Sequence, residues 1–498
     1  MNVNPITRLD YPDLDVIRVE DTYYMVSTTM HFMPGCEILQ SFDLVHWEHV
    51  TYVYETLDHT DAQQLKSGQN IYGQGMWAAS LRYHEGRFYI CFVANDTRKT
   101  YLYTSEKIDG PWKKQLIEGF YHDGSLLFDE DGRNYIVYGN DEIWITELNE
   151  DLTAPKKGGL HRLLVSDHKN PELGYEGSHI QKINGYYYIF LVHSLRDRWM
   201  RTEACFYSDS LEGEFTGGDV LCDDRGYCGQ GVAQGGIVDT PDGKWYAMLF
   251  QDSGAVGRIP ILLPVTWKDH FPFFGQNGHV PEEIEVHSTR PGYIYQPLVG
   301  SDDFCNGLLP RWQFNHDPDP RYYHLDALQG TYTITTREVC TELTQAVNTL
   351  TQRMSYPSCA AEVTVDASAL KEGDVAGLCA LQSCYAAVGI TKHHGKYEVL
   401  MLDKKEDGIL DMTEGTVVES HQMDFRLEAD FCNMKDEARC YYRVNKGDWL
   451  PIGNVHKLYF KLDHFTGCRF GLFCYAAEET GGSACFRDFK YYDVDEIS

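Results

Sequence analysis

Three acidic residues, Asp13, Asp123 and Glu176, each lie shortly before the turn of a segment that reads as a β-hairpin. Asp123 and Glu176 stand nine residues before the turn glycine of their hairpins, and Asp13 stands eight residues before the matching turn residue. Carboxyl groups gathered in one place can do acid–base work, because one can donate a proton while another accepts a proton from water. The fold must therefore bring the three hairpin ends together.

The hairpins belong to a repeat that occurs five times between residues 1 and 295. In each copy an apolar or alternating strand reaches a turn residue, and a tyrosine three positions later begins the next strand, a pattern typical of β-hairpins. The pairs of turn residue and tyrosine are Asp21/Tyr24, Gly86/Tyr89, Gly132/Tyr135, Gly185/Tyr188 and Gly243/Tyr246.

The spacing of the repeat predicts the fold of this region. Successive tyrosines are 65, 46, 53 and 58 residues apart, which is close to the length that four short strands and their loops require. Amphipathic helical periodicity is scarce, which favours an all-β protein. We therefore predict a five-bladed β-propeller over residues 1–295.

Counting back from each turn residue places Trp77 and Gln234 in register with the three acids. The first strand of each blade lines the central channel of a propeller, so the five positions are expected to surround one pocket at its mouth. Taken singly, an acid beside a turn often caps backbone amides, and a tryptophan more often packs in a core. The presence of an acid at the same position in three of the five repeats favours a functional site.

Glycoside hydrolysis uses one carboxylic acid to protonate the leaving oxygen and one carboxylate to activate water or attack the sugar. Asp13 and Glu176, on different blades, are expected to face each other across the channel. A separation of roughly 6.5 to 9.5 Å leaves room for a water molecule and gives inversion of the anomeric configuration. Asp123, on a neighbouring blade, is expected to raise the pKa of Glu176 by like-charge repulsion and to hold its orientation.

Four motifs on the first four blades carry a family resemblance. They are Asp10-Tyr11-Pro12-Asp13, Trp77-Ala78-Ala79-Ser80, Asp123-Gly124-Ser125-Leu126 and Glu176-Gly177-Ser178-His179. Through them the chain resembles glycoside hydrolase family 43. The resemblance implies that Asp13 is the general base, Glu176 the general acid and Asp123 the modulator of the pKa of that acid.

The same resemblance implies a set of substrate contacts. Arg258 is expected to reach into the pocket toward a substrate hydroxyl or the acid cluster, whereas an arginine without the motif could equally form a surface ion pair. Trp77 is expected to form a wall of the sugar subsite. His31 and Phe32 match a loop that shapes this subsite in the family.

Two positions depart from the family pattern. Many relatives carry Gly-His-Gly where this chain has Gln234-Gly235-Gly236, and that histidine usually holds a metal ion or a water molecule on the channel axis. Gln234 could bind a calcium ion on the propeller axis only through its amide oxygen. We predict no metal ligands and no required cofactor, and leave a calcium ion on the axis open as the alternative. The usual Asp-Pro is here Asp13-Leu14, which alters backbone stiffness and leaves the carboxylate in place.

Residues 301–498 are predicted to form a second domain, a β-sandwich. The Pro- and Gly-containing segment 288–300 suits a linker, and short strands separated by turns follow it. Three segments of this region, near Trp312, Asn348 and Gly373, resemble the lectin-like, concanavalin A-like sandwich of xylosidase-type family members. In those relatives the sandwich closes one end of the pocket, which implies action at chain ends.

Composition restricts the partners. The 498 residues are 43% apolar, which is ample for two packed domains. A formal charge of −31 argues against nucleic acid or an anionic membrane and favours a small neutral oligosaccharide. Residues 1–10 lack the regions of a signal peptide, so a cytoplasmic location is expected. The oligomeric state is left open, since the sandwich could pair with another copy.

The sequence therefore predicts an inverting, exo-acting glycosidase that releases terminal β-D-xylose, α-L-arabinofuranose or both from xylo- or arabino-oligosaccharides. A retaining hydrolase of the fructosidase type is an alternative, but the Arg-Asp-Pro and Glu-Cys motifs of those propellers are His122-Asp123-Gly124 and Glu176-Gly177 here. A sugar-binding propeller and sandwich without turnover is a second alternative, disfavoured by the presence of all three acids. The choice between the two pentoses is left open, because it depends on fine pocket shape.

Overall fold

The computed structural model describes residues 2–413 and 415–493. Within these ranges the chain is almost entirely β-sheet, and its helical segments are single 3₁₀ turns at Lys66–Gly68, Gly254–Val256, Leu343–Gln345 and Cys432–Met434. No helix of the described residues has the length and apolarity to cross a membrane. Residue 1 and residues 494–498, at the outer ends of the two predicted domains, lie outside the described ranges.

The first part of the chain forms a propeller of five four-stranded antiparallel sheets, which confirms the predicted architecture. Its strands are β1 (Asn2–Val3), β2 (Asp15–Val19), β3 (Thr22–Val26), β4 (Phe32–Met33), β5 (Gly35–Ser41), β6 (Glu48–Tyr54), β7 (Met76–His84), β8 (Arg87–Ala94), β9 (Lys99–Ser105), β10 (Lys113–Ile117), β11 (Ser125–Phe128), β12 (Asn134–Asn140), β13 (Glu142–Leu148), β14 (His161–Ser166), β15 (Glu176–Ile183), β16 (Tyr186–Ser194), β17 (Arg201–Ser208), β18 (Thr216–Leu221), β19 (Val232–Asp239), β20 (Trp245–Asp252), β21 (Arg258–Lys268), β22 (Phe271–Phe274) and β23 (Glu283–Ile284).

Blade one consists of β2, β3, β5 and β6, and each further group of four strands from β7 to β22 forms the next blade. The first strands, β2, β7, β11, β15 and β19, contact one another in a closed ring around the channel. Apolar side chains of adjoining blades fill the space between the sheets, as Leu81 and Ile38 do between blades one and two. The short ladder between β1 and β23 lies outside the blades and joins the two ends of this region.

The second part of the chain forms two large antiparallel sheets that enclose one apolar core. Alternating strand residues such as Val363, Val365, Phe425 and Leu427 supply that core, which is the pattern of a β-sandwich. Its strands are β24 (Gln313–Asn315), β25 (Tyr323–Asp326), β26 (Thr331–Thr335), β27 (Leu350–Arg353), β28 (Ser358–Asp366), β29 (Val375–Leu381), β30 (Ala386–His393), β31 (Lys396–Lys404), β32 (Leu410–Met412), β33 (Thr416–Val418), β34 (Gln422–Asp430), β35 (Glu437–Arg443), β36 (Leu450–Lys457), β37 (Arg469–Tyr475) and β38 (Ser483–Asp493).

The two domains share a sheet and a buried ion pair. Strand β4 leaves blade one and pairs with β24, so the propeller supplies an edge strand to the sandwich. Arg353 of the sandwich donates to Glu37 of blade one at 2.9 Å and to the Asp10 carbonyl at 2.9 Å. Both ionic groups are at most 5% exposed, and removing one partner of such a pair typically costs about 3–5 kcal/mol. The sandwich is thereby fixed beside the Asp10–Asp13 segment.

Candidate active site

A cavity of about 780 Å³ lies at one end of the propeller channel, between the propeller and the sandwich. Glu176 and Trp77 line it, whereas Asp13, Asp123 and Arg258 are buried and are not among the lining residues. The sandwich contributes a wall of apolar side chains, namely Met434, Phe460, Leu462 and Phe465. A groove of about 450 Å³ at the other end of the channel contains none of the three acids.

The backbone is locally irregular where the in-register residues stand. Asp13, Asp123 and Gln234 have φ values of 50°, 47° and 71°, in the left-handed region that non-glycine residues seldom occupy. The pairing register also shifts beside Glu176, Trp77 and Gln234, at the start of three of the inner strands. Such bulges re-aim side chains and are common near active sites, so they account for the gathering of these residues at the channel mouth.

Glu176, the first residue of β15, is held by neighbours from blade three. Asn140 Nδ2 donates to Glu176 Oε2 at 2.8 Å, and His122 Nε2 lies 3.5 Å from the same oxygen. The next residue must be glycine, because Gly177 has φ 65° and a Cβ there would lie 2.6 Å from Gln234 Cγ. The turn that follows the carboxylate is therefore packed directly against blade five.

Asp123 is tied to the backbone beside Glu176. Its Oδ2 accepts a hydrogen bond from the Gly177 amide at 2.9 Å, which links blades three and four. Burial raises the pKa of Asp123 to about 6, and the nearby carboxylates of Glu176 and Asp13 add to the rise while His122 opposes it. Asp123 thus positions the segment that bears Glu176 and carries a perturbed pKa itself.

His122 completes this cluster and was missed by the sequence reasoning. Its Nε2 lies 3.6 Å from Asp123 Oδ2 and 3.5 Å from Glu176 Oε2. Burial disfavours the imidazolium, but Asp123 and Glu176 outweigh that effect and raise the pKa of His122 to about 9. A positive charge therefore lies between two carboxyl groups at neutral pH. Its position next to Asp123 in the sequence was the one available signal.

Asp13 lies on the opposite side of the channel, on blade one, with its own partners. Arg258 Nη1 donates to both carboxylate oxygens, at 3.0 and 3.3 Å, and Thr28 Oγ1 donates to Oδ2 at 2.8 Å. Asp13 remains 8% exposed, whereas the guanidinium-bearing Arg258 is only 2% exposed. These two partners fix the orientation of the carboxylate, which keeps a small exposed fraction.

Arg258 is positioned by the Asp10 segment and by the sandwich. Asp10 Oδ1 accepts from the Arg258 amide at 2.7 Å, and Asp10 Oδ2 accepts from the Gly467 amide at 2.8 Å. The Phe465 ring centroid lies 4.5 Å from Arg258 Cζ, and the Phe465 carbonyl accepts from Nη2 at 3.3 Å. Phe465 also packs edge to face on Trp77, with ring centroids 5.9 Å apart. The sandwich therefore covers the site, as the resemblance implied, and it does so through Phe465, which the repeat did not indicate.

The remaining predicted residues lie elsewhere. His31 and Phe32 do not line the cavity and contact none of the three acids, because the start of β4 turns away to pair with the sandwich. His31 is fully buried beside His316, with ring centroids 4.8 Å apart, and Phe32 packs under Arg469. Assigning these two residues to the sugar subsite is corrected accordingly: they form part of the interface between domains.

The donors near Gln234 do not fit a resident calcium ion. The Gln234 side chain packs on Gly177, and the Gln234 backbone N–H donates to Glu203, a fully buried acid whose pKa burial raises well above the usual range. Asp15, on the inner strand β2, is already paired with Arg82 and His179. Calcium requires six to eight oxygen ligands, and one neutral amide does not approach that number.

One other group in the described residues could hold a metal ion, formed by His122, Asp123 and Glu176, with ligand atoms within 4.8 Å of one another. A metal-bound imidazole must be neutral, whereas the raised pKa of His122 favours the protonated form. The arrangement is better suited to acid–base chemistry. Glu176, on blade four, lies beside the donors Asn140 and His122. Asp13, on blade one, is held by Arg258. The pocket between the domains is large enough for a sugar.

Comparison with known proteins agrees with this chemistry. The model for Glycosyl hydrolases family 43 matches residues 3–272, and that for the beta xylosidase C-terminal Concanavalin A-like domain matches residues 301–492. The second match confirms the predicted type of sandwich. The first match covers Asp13, Asp123 and Glu176.

Individual proteins give the same result. A structure described as a bifunctional GH43-CE protein of Bacteroides eggerthii is 42% identical with a TM-score of 0.92, and the match covers 99% of this chain and 64% of that one. A beta-xylosidase of Formosa agariphila is 26% identical over 99% of this chain and 89% of its own length. A xylosidase/arabinosidase of Butyrivibrio fibrisolvens is 23% identical over 99% of both chains. The chain belongs to glycoside hydrolase family 43 and is a glycosidase.

Proposed function

We propose that this glycosidase removes terminal pentosyl units, β-D-xylose, α-L-arabinofuranose or both, from short neutral xylo- or arabino-oligosaccharides with inversion of configuration. One observation carries the proposal. Glu176 of blade four lines a cavity whose upper wall is formed by the sandwich, and the carboxyl groups of Asp123, on blade three, and Asp13, on blade one, lie near enough for their charges to interact. Membership of family 43 favours this reading over the fructosidase-type and non-catalytic alternatives.

In the proposed reaction Glu176 is the general acid and Asp13 the general base. Glu176 donates its proton to the leaving oxygen as the glycosidic bond breaks, and Asp13 accepts a proton from the water that attacks the anomeric carbon. Asn140 and His122 orient the Glu176 carboxyl group, while Arg258 and Thr28 orient that of Asp13. Each acid thus has a separate support, as two distinct roles require.

Asp123 acts in this scheme as a positioning residue. Its hydrogen bond to the Gly177 amide fixes the backbone next to Glu176, and His122 lies within 3.6 Å of both carboxyl groups. The predicted modulation of the acid by like-charge repulsion is retained as part of the proposal.

Inversion follows if a water molecule stands between the two working carboxyl groups. Asp13 and Glu176 are supported from different blades and share no hydrogen bond, which favours an arrangement with water between them over direct attack by Asp13. Exo action is favoured by the closed side of the cavity. Phe465 and Leu462 of the sandwich would block a polysaccharide that continued past the bound terminal sugar.

The pentose class rests on the relatives, whose names include both beta-xylosidase and xylosidase/arabinosidase. A direct comparison of aryl β-D-xyloside and aryl α-L-arabinofuranoside hydrolysis by one preparation decides between one activity and two. Hydrolysis of neither substrate would overturn the assignment of pentose.

The acid assignment is tested by Glu176→Gln. The variant should lose roughly 10²- to 10⁴-fold in kcat/KM on substrates with poor leaving groups and far less on activated aryl glycosides, which need no proton. Glu142→Gln, at an exposed position of blade three, is the matched control and should match the wild type on both substrates. Equal losses for Glu176→Gln on both kinds of substrate would remove the general-acid role.

A further inference from the structure

Arg201, the first residue of β17, lines the cavity but has no part in the acid–base scheme. Its Nε donates to Asp252 Oδ2 at 2.9 Å, which ties blade four to blade five. Within residues 2–413 and 415–493, its terminal nitrogens Nη1 and Nη2 have no hydrogen-bond acceptor. Arg201 is only 7% exposed, but Nη1 and Nη2 are not among the fully buried atoms that lack a partner, so these free donors face the cavity that Arg201 lines.

The guanidinium of Arg201 stands between the deep part of the cavity and its rim. Its Cζ lies 5.2 Å from the ring centroid of the buried Phe250, which is also 5.4 Å from Cζ of Arg258. On the other side it lies 5.3 Å from the ring centroid of Trp199, which is 44% exposed. Moving outward from the Asp13–Arg258 pair, a ligand would therefore meet Arg201 and then Trp199.

The charges at this wall suit a neutral ligand. Arg201 is paired with Asp252, and the other two arginines of the same segment are paired with acids, Arg196 with Asp167 and Arg198 with Asp197. No excess positive charge is left to attract an acidic group. A planar guanidinium held rigidly by a carboxylate presents parallel N–H donors, which match neighbouring hydroxyl groups of a sugar. An exposed tryptophan beside it offers an apolar face for the same sugar ring.

We propose that Arg201 and Trp199 form the subsite for the sugar on the leaving-group side of the scissile bond. Glu176 must stand at the bond that breaks, so the sugar beyond it toward the rim is the leaving group. Arg201 donates to hydroxyls of that sugar, and Trp199 packs on its ring. This inference rests on the proposed function and extends it by making the natural substrate an oligosaccharide with a pentose or hexose in the leaving position.

The test compares two substrates that share the terminal pentose and differ in the leaving group, a disaccharide and the 4-nitrophenyl pentoside. Arg201→Lys keeps the charge opposite Asp252 but loses the forked donors, and Trp199→Ala removes the exposed ring. Each variant should lose about 10- to 100-fold in kcat/KM on the disaccharide, and at least five times less on the aryl pentoside. The loss should lie mainly in KM, as expected when binding of the leaving sugar is weakened.

Arg198→Lys is the matched control, since Arg198 lies in the same segment, is paired with Asp197 and does not line the cavity. It should match the wild type on both substrates. Melting curves of all variants establish that each is folded. Equal losses of the Arg201 and Trp199 variants on the two substrates, against an active wild type, would overturn the subsite and leave the proposed function standing. A wild type that cleaves neither substrate would overturn both.

Discussion

Replacing Asp123 by asparagine is expected to stabilise the protein while impairing it as an enzyme. The pKa of Asp123 is raised from 3.8 to about 6, chiefly by burial. A carboxyl group with a raised folded pKa binds more protons in the folded than in the unfolded state between those two values, so stability falls as the pH rises through that window. At about 1.4 kcal/mol per unit, ionised Asp123 costs about 3 kcal/mol at pH 7 and about 1 kcal/mol at pH 4.5.

Asparagine removes this cost and keeps an oxygen that can accept from the Gly177 amide. For a domain of about 270 residues, the melting temperature of Asp123→Asn should exceed that of the wild type by about 5 °C at pH 7 and about 2 °C at pH 4.5. The measurement is a series of melting curves from pH 4.5 to pH 7.5, with kcat/KM measured alongside.

Asp15→Asn is the matched control, because it makes the same change at another buried acid of the channel. There Arg82 and His179 overcome the effect of burial and lower the pKa of Asp15 to about 2, so its ionised form stabilises the fold at every pH above 3.8. This variant should melt below the wild type at pH 7. An Asp123→Asn variant that is no more stable than the wild type at pH 7, or whose gain does not grow with pH, would show that ionised Asp123 does not destabilise the fold.

Two further predictions concern the neighbours of the acids. The pKa of the His122 imidazolium is raised to about 9, so kcat/KM of the wild type should fall as the pH rises through about 9. His122→Gln removes this group, and its pH profile should lack that fall. The same fall in the variant would assign it to another group. Phe465→Ala removes the ring that packs on Arg258 and Trp77, so KM for aryl pentosides should rise about tenfold, with a smaller change in kcat. A fall in kcat at constant KM would mean that Phe465 acts on the reacting groups and not on the pocket wall.

The fold was predictable because its signals are local. A hairpin turn followed three residues later by a tyrosine recurs once per blade, and the spacing of those tyrosines is the length of a blade. Since one position per blade has the same place relative to the channel, the register also indicated that Asp13, Asp123 and Glu176 would stand at the same end of it.

Contacts between domains could not be predicted in the same way. Phe465 belongs to the sandwich, nearly 300 residues from Glu176 in the chain, and no local pattern links the two. His31 and Phe32 were assigned to the pocket because their motif is local, yet strand β4 pairs with the sandwich and carries them into the interface. Arg201 begins a third strand, outside the counted register, so its place on the cavity wall required the packing of blade four against blade five.

The central claim is that Asp13 prepares a water molecule while Glu176 protonates the leaving group. Proton NMR of the sugar released in the first moments of hydrolysis tests it most directly, because the anomeric signal is read before mutarotation. With an aryl β-D-xyloside, or an α-L-arabinofuranoside if that is the better substrate, the inverted anomer should appear first. First release of the anomer with retained configuration would contradict it, since Asp13 would then attack the sugar directly.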